Sequence, residues 1–166
     1  MPIKRPIITK EIIEKSAKET AKEILTYANF GHIEEESLAK DLADEYSPGD
    51  NGYDLAKKLD RRGYDPDALF VECLDVMDIV VKDHYRKFCW EWVKKENIKP
   101  PFPLGVKIKQ EYSGLNVVQG VIVGISEHTP ACYEVDYGKP NDKWLIKFEN
   151  AVLVEEAKAS SYRPRG

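Results

Sequence analysis

Pro100-Pro101-Phe102-Pro103 divides this sequence into two stretches that cannot share one kind of secondary structure. Proline fixes φ and lacks a backbone donor, and it drives the preceding residue to extended backbone, so no helix continues through such a run. Ahead of it apolar residues recur at helical spacing, and behind it they alternate with a period of two. The chain therefore reads as α+β. An N-terminal helical domain of about four helices spans residues 1–99, a proline linker 100–103, a five-stranded β domain 104–156 and a flexible tail 157–166. At 166 residues there is room for two small domains and none for a long multidomain machine.

In the helical part, Thr9 is a candidate N-cap, and Ile12, Ile13, Ala17, Ala21, Ile24, Leu25 and Ala28 predict an amphipathic helix over 9–28. A second helix is predicted over 34–46, with acidic residues in its first turn complementing the macrodipole. The turn-rich run 47–52 ends it, and a short third helix over 51–62 is stopped by Gly63. Asp65 followed by Pro66 then predicts the cap and first position of the longest helix, which reaches about residue 96. Its apolar residues lie on two faces, one through Phe70, Met77 and Val81, the other through Val76, Ile79 and Trp90. Both faces need packing partners. A homodimer through the long helix meets that need, and so does packing against the β domain.

The β part predicts five short strands, at Val106/Ile108, Val117–Ile125, Tyr133/Val135/Tyr137, Trp144/Ile146/Phe148 and 151–154. Turn residues separate them at Ser113-Gly114, 127–130 and 138–142. Gly120 and Gly124 bracket Val121 to Val123, and the strand order with its Tyr-x-Val-x-Tyr and Trp-x-Ile-x-Phe segments resembles an SH3-like small barrel. The resemblance covers about residues 104–155. It implies binding of a peptide, nucleic acid or a neighbouring domain, and seldom catalysis. Lys107 and Lys109 alternate with Val106 and Ile108, and Lys143 and Lys147 with Trp144 and Ile146. Four outward lysines on one surface would meet the phosphates of a nucleic acid, and alternating lysines also solubilise a sheet and protect its edges. Tyr133, Tyr137 and Trp144 are expected in the core.

The net charge of −4 hides an uneven distribution. Residues 34–78 hold 5 Lys/Arg against 14 Asp/Glu, while residues 79–99 hold 6 against 3. An acidic middle excludes a simple basic footprint for duplex nucleic acid and suits a basic partner or a cation. Glu34, Glu35, Glu36, Asp41, Asp44 and Glu45 are the candidate contacts to another protein with a basic surface. In size and charge the chain resembles small accessory proteins of phages and mobile elements. That resemblance implies an inhibitor acting on a basic nucleic-acid-handling host protein.

Glu72, Asp75 and Asp78 follow one another at i, i+3, i+6, a spacing that brings neighbouring carboxylates to one helix face and toward a hard cation. Glu72-Cys73-Leu74-Asp75 is similar to the ExxD motif of the all-α, MazG-like nucleoside triphosphate pyrophosphohydrolases. That resemblance implies magnesium held by Glu72 and Asp75. Where the family has EExxE on an earlier helix, this sequence has Glu34-Glu35-Glu36 and Asp41-Leu42-Ala43-Asp44-Glu45. The same acids also stand in the first half of a helix whose second half is basic, the distribution that favours any helix dipole.

His32, His84 and His128 fall on different elements, and no nucleophile elbow or Gly-rich phosphate loop occurs. Cys73, Cys89 and Cys132 lack zinc-knuckle spacing and read as thiols in a reducing compartment. No apolar run approaches the ~18 residues of a membrane span, so a cytoplasmic protein is expected. The sequence points first to a non-enzymatic binding protein without a cofactor. A magnesium-dependent pyrophosphohydrolase and nucleic-acid binding through the barrel are the alternatives.

Overall fold

The computed structural model of the chain describes residues 4–27, 30–111 and 117–154. The expected Ser113-Gly114 turn, Ala28 and the tail at 157–166 lie outside the described residues. The fold is α+β, helices first and a five-stranded antiparallel sheet after them. Two compact units make it up. Pro6–Glu91 forms one, and Arg5 joins the chain from Trp92 onward in the other. The division therefore falls ahead of the proline run, because Trp92, Val93, Ile98 and Phe102 pack against the core of the sheet.

In the helical unit, α1 (Lys10–Tyr27) starts where Thr9 Oγ1 accepts from the Ile12 amide at 3.4 Å. Ile12, Ala17, Ala21 and Ile24 are buried along one stripe, and they meet Leu38, Ala39 and Leu42 of α2 (Glu35–Glu45) in one core. The small side chains of Ala17 and Ala21 allow the two helices to approach closely. α3 (Gly52–Asp60) is capped by the Asn51 side chain, which accepts from the Asp54 amide at 2.9 Å. At its other end the Gly63 amide donates to Asp60 and the Tyr64 amide to Leu59, with Gly63 at φ 93°. That is a Schellman closure, and the positive φ is why a glycine stands there.

The single long helix expected from residue 66 is two helices, α4 (Ala68–Leu74) and α5 (Val76–Lys95), divided at Asp75. α4 is capped by Asp67, not Asp65: the Asp67 carboxylate accepts from the Phe70 amide at 2.8 Å, a register that buries Phe70 in the core. At the division the Asp75 amide donates to the Glu72 carbonyl at 3.2 Å, and the Asp75 carboxylate accepts from the Gly52 amide at 2.6 Å. Gly52 sits against this junction so closely that a Cβ there would lie 2.2 Å from the Val71 carbonyl oxygen. Of the second apolar stripe, Val76 and Trp90 are half-buried and Ile79 is 66% exposed.

The sheet unit contains β1 (Lys107–Glu111), β2 (Val117–Ile125), β3 (Cys132–Asp136), β4 (Trp144–Lys147) and β5 (Val152–Leu153). A 3₁₀ turn, Phe148–Asn150, precedes β5. The order is β4-β3-β2-β1-β5, so the last strand returns beside the first. Among the described residues no ladder joins β4 to β5. In the pairing of β2 with β3 the register shifts between Ile122 and Gly124, a bulge that bends the strand. Gly120 is required by close approach, since a Cβ would meet the Asp136 carbonyl at 2.2 Å. Ile108, Ile122, Tyr133, Val135, Ile146 and Phe148 form the core. The Tyr133 hydroxyl accepts from the Phe102 amide at 2.7 Å and donates to the Phe102 carbonyl at 3.0 Å, which seats the proline run on this core. Trp144, expected inside, is 37% exposed at the strand end, edge-to-face with Tyr137.

Arg5 is the least expected member of this unit. Its guanidinium donates to Glu149 at 2.6 Å and to the carbonyls of Pro130 and Ala131 at 2.8 and 2.9 Å, and it lies over the Trp92 ring. Ala131 stands at φ 50°, a left-handed conformation disfavoured for alanine. Its carbonyl, bonded by both Arg5 and the Phe148 amide, is one anchor that holds it there.

Candidate functional site

The acidic stretch of the sequence separates in the structure into acids with internal partners and acids without. Arg62, carried just past the end of α3, reaches Asp41 and Glu45 at 2.6 Å each and Asp44 at 3.7 Å. The Glu45 hydrogen bond, with that of Asp41, raises the guanidinium pKa further. Asp41 also accepts from the Tyr64 hydroxyl at 2.7 Å. Burial, then that hydrogen bond, pushes the Tyr64 phenol up to about 12. Asp50 pairs with Lys58 at 2.6 Å. Asp78 accepts from the Tyr46 hydroxyl at 2.6 Å and the Gly49 amide at 3.2 Å, and pairs with Lys82. These contacts staple the 46–52 turn to the helices behind it.

Glu34, Glu35, Glu36 and Asp65 have no side-chain hydrogen bond or ion pair among the described residues. Glu35 and Glu36 open α2, where the helix dipole favours a negative charge, and Glu34 stands at the N-cap without a side-chain cap bond. Glu34 and Asp65 border a cleft of about 770 Å³ between the start of α2 and the α3–α4 connection. Its floor is aromatic: Phe30 meets Phe70 edge-on at 5.0 Å, and Tyr64 stacks on Phe70 at 6.4 Å. Asp41 and Arg62 form one wall, and His32 lies on the rim. An apolar floor with anionic walls suits a cationic group carried on an apolar stem.

The expected metal pair is not brought together on one ligand. Asp75 is engaged by the Gly52 amide, while Glu72 is exposed and borders a separate cleft against α1. Among the described residues no group of three or more His, Cys, Asp or Glu side chains is placed to hold a metal ion. The four lysines also part company. Lys107 and Lys109 stand on β1 opposite Val121 and Gln119, whereas Lys147 is on β4 opposite Cys132, with β2 and β3 between. Lys109 pairs with Glu111 at 2.5 Å and Lys143 with Glu134 at 3.1 Å. The outward side of β2 is largely aliphatic, exposing Val117, Val121 and Val123.

His84 Nε2 lies 2.8 Å from Glu19, and Cys73, Cys89 and Cys132 are free thiols. Among the described residues no helix is long and apolar enough to cross a membrane. Two features of the cleft escape a linear reading. The aromatic floor is assembled from three elements, and Arg62 neutralises acids 17 and 21 residues away. Only Gly63, which ends α3 and so places Arg62 and Tyr64 on either side of the turn, is a local signal for the arrangement. The chain matches no family model, no curated protein and no solved structure with which it was compared.

Proposed function

We propose that the protein is a non-enzymatic binding protein whose helical unit recognises a basic surface on another protein. The observation that carries this reading is the unpaired carboxylates of Glu34 and Asp65 on the aromatic-floored cleft, with Glu35 and Glu36 exposed beside Glu34 at the start of α2, where they border a separate cleft. Asp41 and Arg62 line its wall, and Asp41, Asp44 and Glu45, engaged by Arg62, contribute less free charge. A basic surface of the kind that grips nucleic acid is the complementary partner, so the protein acts as a competitive inhibitor, a role suited to a small phage or mobile-element protein. Desolvated lysine or arginine side chains entering the cleft supply affinity, and the exposed glutamates steer the encounter.

The test is affinity purification of the tagged protein at low and moderate salt, followed by reconstitution with the captured protein. A stoichiometric partner is expected to be released by Glu34→Lys, Glu35→Lys and Glu36→Lys together and displaced by duplex DNA. Lysines at the start of α2 oppose its dipole, so Glu34→Gln, Glu35→Gln and Glu36→Gln together serve as the second variant, which should weaken the complex with circular dichroism unchanged. A partner that survives both treatments, or no partner at all, overturns the reading.

A further inference from the structure

The sheet has one packed face and one open face. Ile108, Ile122 and Val135 belong to the core that Trp92, Val93, Ile98 and Phe102 pack against. Their chain neighbours Lys107, Val121 and Asp136 are exposed on the other face, because successive side chains of a strand point to opposite sides. The register sets these three in one row: Lys107 of β1 stands opposite Val121 of β2, and Val121 opposite Asp136 of β3. Val117 and Val123 extend the apolar character along β2, and Val121, in the middle of the strand, is 39% exposed.

The open face therefore carries a cation on one side of an aliphatic stripe and an anion on the other. Neither makes an ion pair among the described residues; Asp136 Oδ1 accepts from the Gly138 amide at 2.8 Å. The charges beside them are engaged within the chain, Lys109 by Glu111 at 2.5 Å and Glu134 by Lys143 at 3.1 Å, and Lys147 lies two strands from β2. A polyanion is repelled by the β3 carboxylates, and a basic surface by the β1 lysines. Opposite charges flanking an apolar stripe are complementary to the same surface turned over. A two-fold axis running along β2 lays β2 on β2 and β1 on β3 of a second copy while keeping each row in place. Lys107 then meets Asp136 at two symmetric contacts with valine on valine between them, across a sheet separation of about 10 Å. An axis across the strands lays β1 on β1, lysine against lysine.

We propose that the open face of the sheet is the surface through which two copies of this chain form a two-fold dimer, with the valines of β2 on the axis and Lys107 of each copy paired with Asp136 of the other. The surface uses none of the carboxylates assigned to a basic partner, so it holds whether or not the helical unit binds one.

The experiment is sedimentation equilibrium of the full chain from about 1 µM to about 1 mM, a range that covers a small interface of low affinity. A monomer–dimer equilibrium is expected. Lys107→Glu alone and Asp136→Lys alone should each weaken it at least about tenfold, because each sets like charges against one another at both contacts. An equimolar mixture of the two variants should associate within about threefold of the parent chain, since in the mixed dimer both contacts again join opposite charges. Misfolding of either variant could not produce that recovery. Asp136→Lys also removes the acceptor of the Gly138 amide, so Asp136→Asn, which keeps one, is a second variant and should weaken association about threefold. A chain that stays monomeric across the range assigns the face to another occupant, and a dimer unchanged by Lys107→Glu and Asp136→Asn has its interface elsewhere. Either result, or a mixture of folded variants that associates no more tightly than each alone, overturns the proposal.

Discussion

At Arg62 and Asp78, single side chains decide what the acidic character of the helical unit amounts to. Arg62 converts three of the six carboxylates expected to face a partner into an internal contact, and only the fold brings it there. Asp78 shows the same conversion in a form that pH can test. Burial pushes its pKa up, but hydrogen bonds from Lys82, Tyr46 and Gly49 outweigh that and hold it below its ordinary value of 3.8. A carboxylate depressed in the folded state stabilises it above the unfolded pKa, and the contribution disappears as pH falls through the folded one. Asp78→Asn should therefore be less stable than the parent chain by a margin that is constant from neutral pH down to about 4 and shrinks below it. Urea unfolding from pH 7 to pH 3 measures this. A margin that persists unchanged through the acid range would exclude an ionised Asp78 as its source.

At the scale of elements, caps and periodicity are local, and they were legible. Thr9 caps α1, Gly63 closes α3, and the period-two segments after the prolines become strands. What was not legible depends on contacts between elements. The 66–96 segment has no internal glycine or proline, yet it divides at Asp75 because α3 presents Gly52 to that point. Gly52→Ala should place a methyl against the Val71 carbonyl and cost about 2–3 kcal/mol in chemical denaturation. A substitution costing only the small helix-propensity change would show that the junction yields. The candidate site was half legible for the same reason. Glu34 and Asp41 do border the cleft, but its aromatic floor and the partner of Asp41 come from segments distant in sequence. The Glu72 and Asp75 spacing gave no warning that one carboxylate is used by a backbone amide and the other is not.

At the scale of the whole molecule, the compact units divide between Glu91 and Trp92, ahead of the proline run that reads as a linker in the sequence. Phe102 is instead bonded through both its amide and its carbonyl to Tyr133. The opposite end of the chain belongs to the same unit through Arg5, whose side chain is 9% exposed beside Glu149. Arg5→Ala takes the guanidinium from a mostly buried carboxylate and from the Pro130 carbonyl, while the Ala131 carbonyl keeps the Phe148 amide, and should destabilise the sheet unit by about 3 kcal/mol. Hydrogen exchange at β3 and β5 reports that loss separately from the helical unit. Unchanged protection there would mean that Arg5 is dispensable.

The contact between Arg5 and Glu149 spans 144 residues, and it puts an order on biosynthesis. Arg5 leaves the ribosome long before its acceptors exist. At about 5–20 residues per second, roughly seven to thirty seconds pass before Glu149 is added, whereas everything the helical unit needs has been translated well before then. A nascent chain thus carries the helical unit complete while Arg5 still lacks Glu149 and the carbonyls of Pro130 and Ala131, and the guanidinium is captured only when those residues arrive.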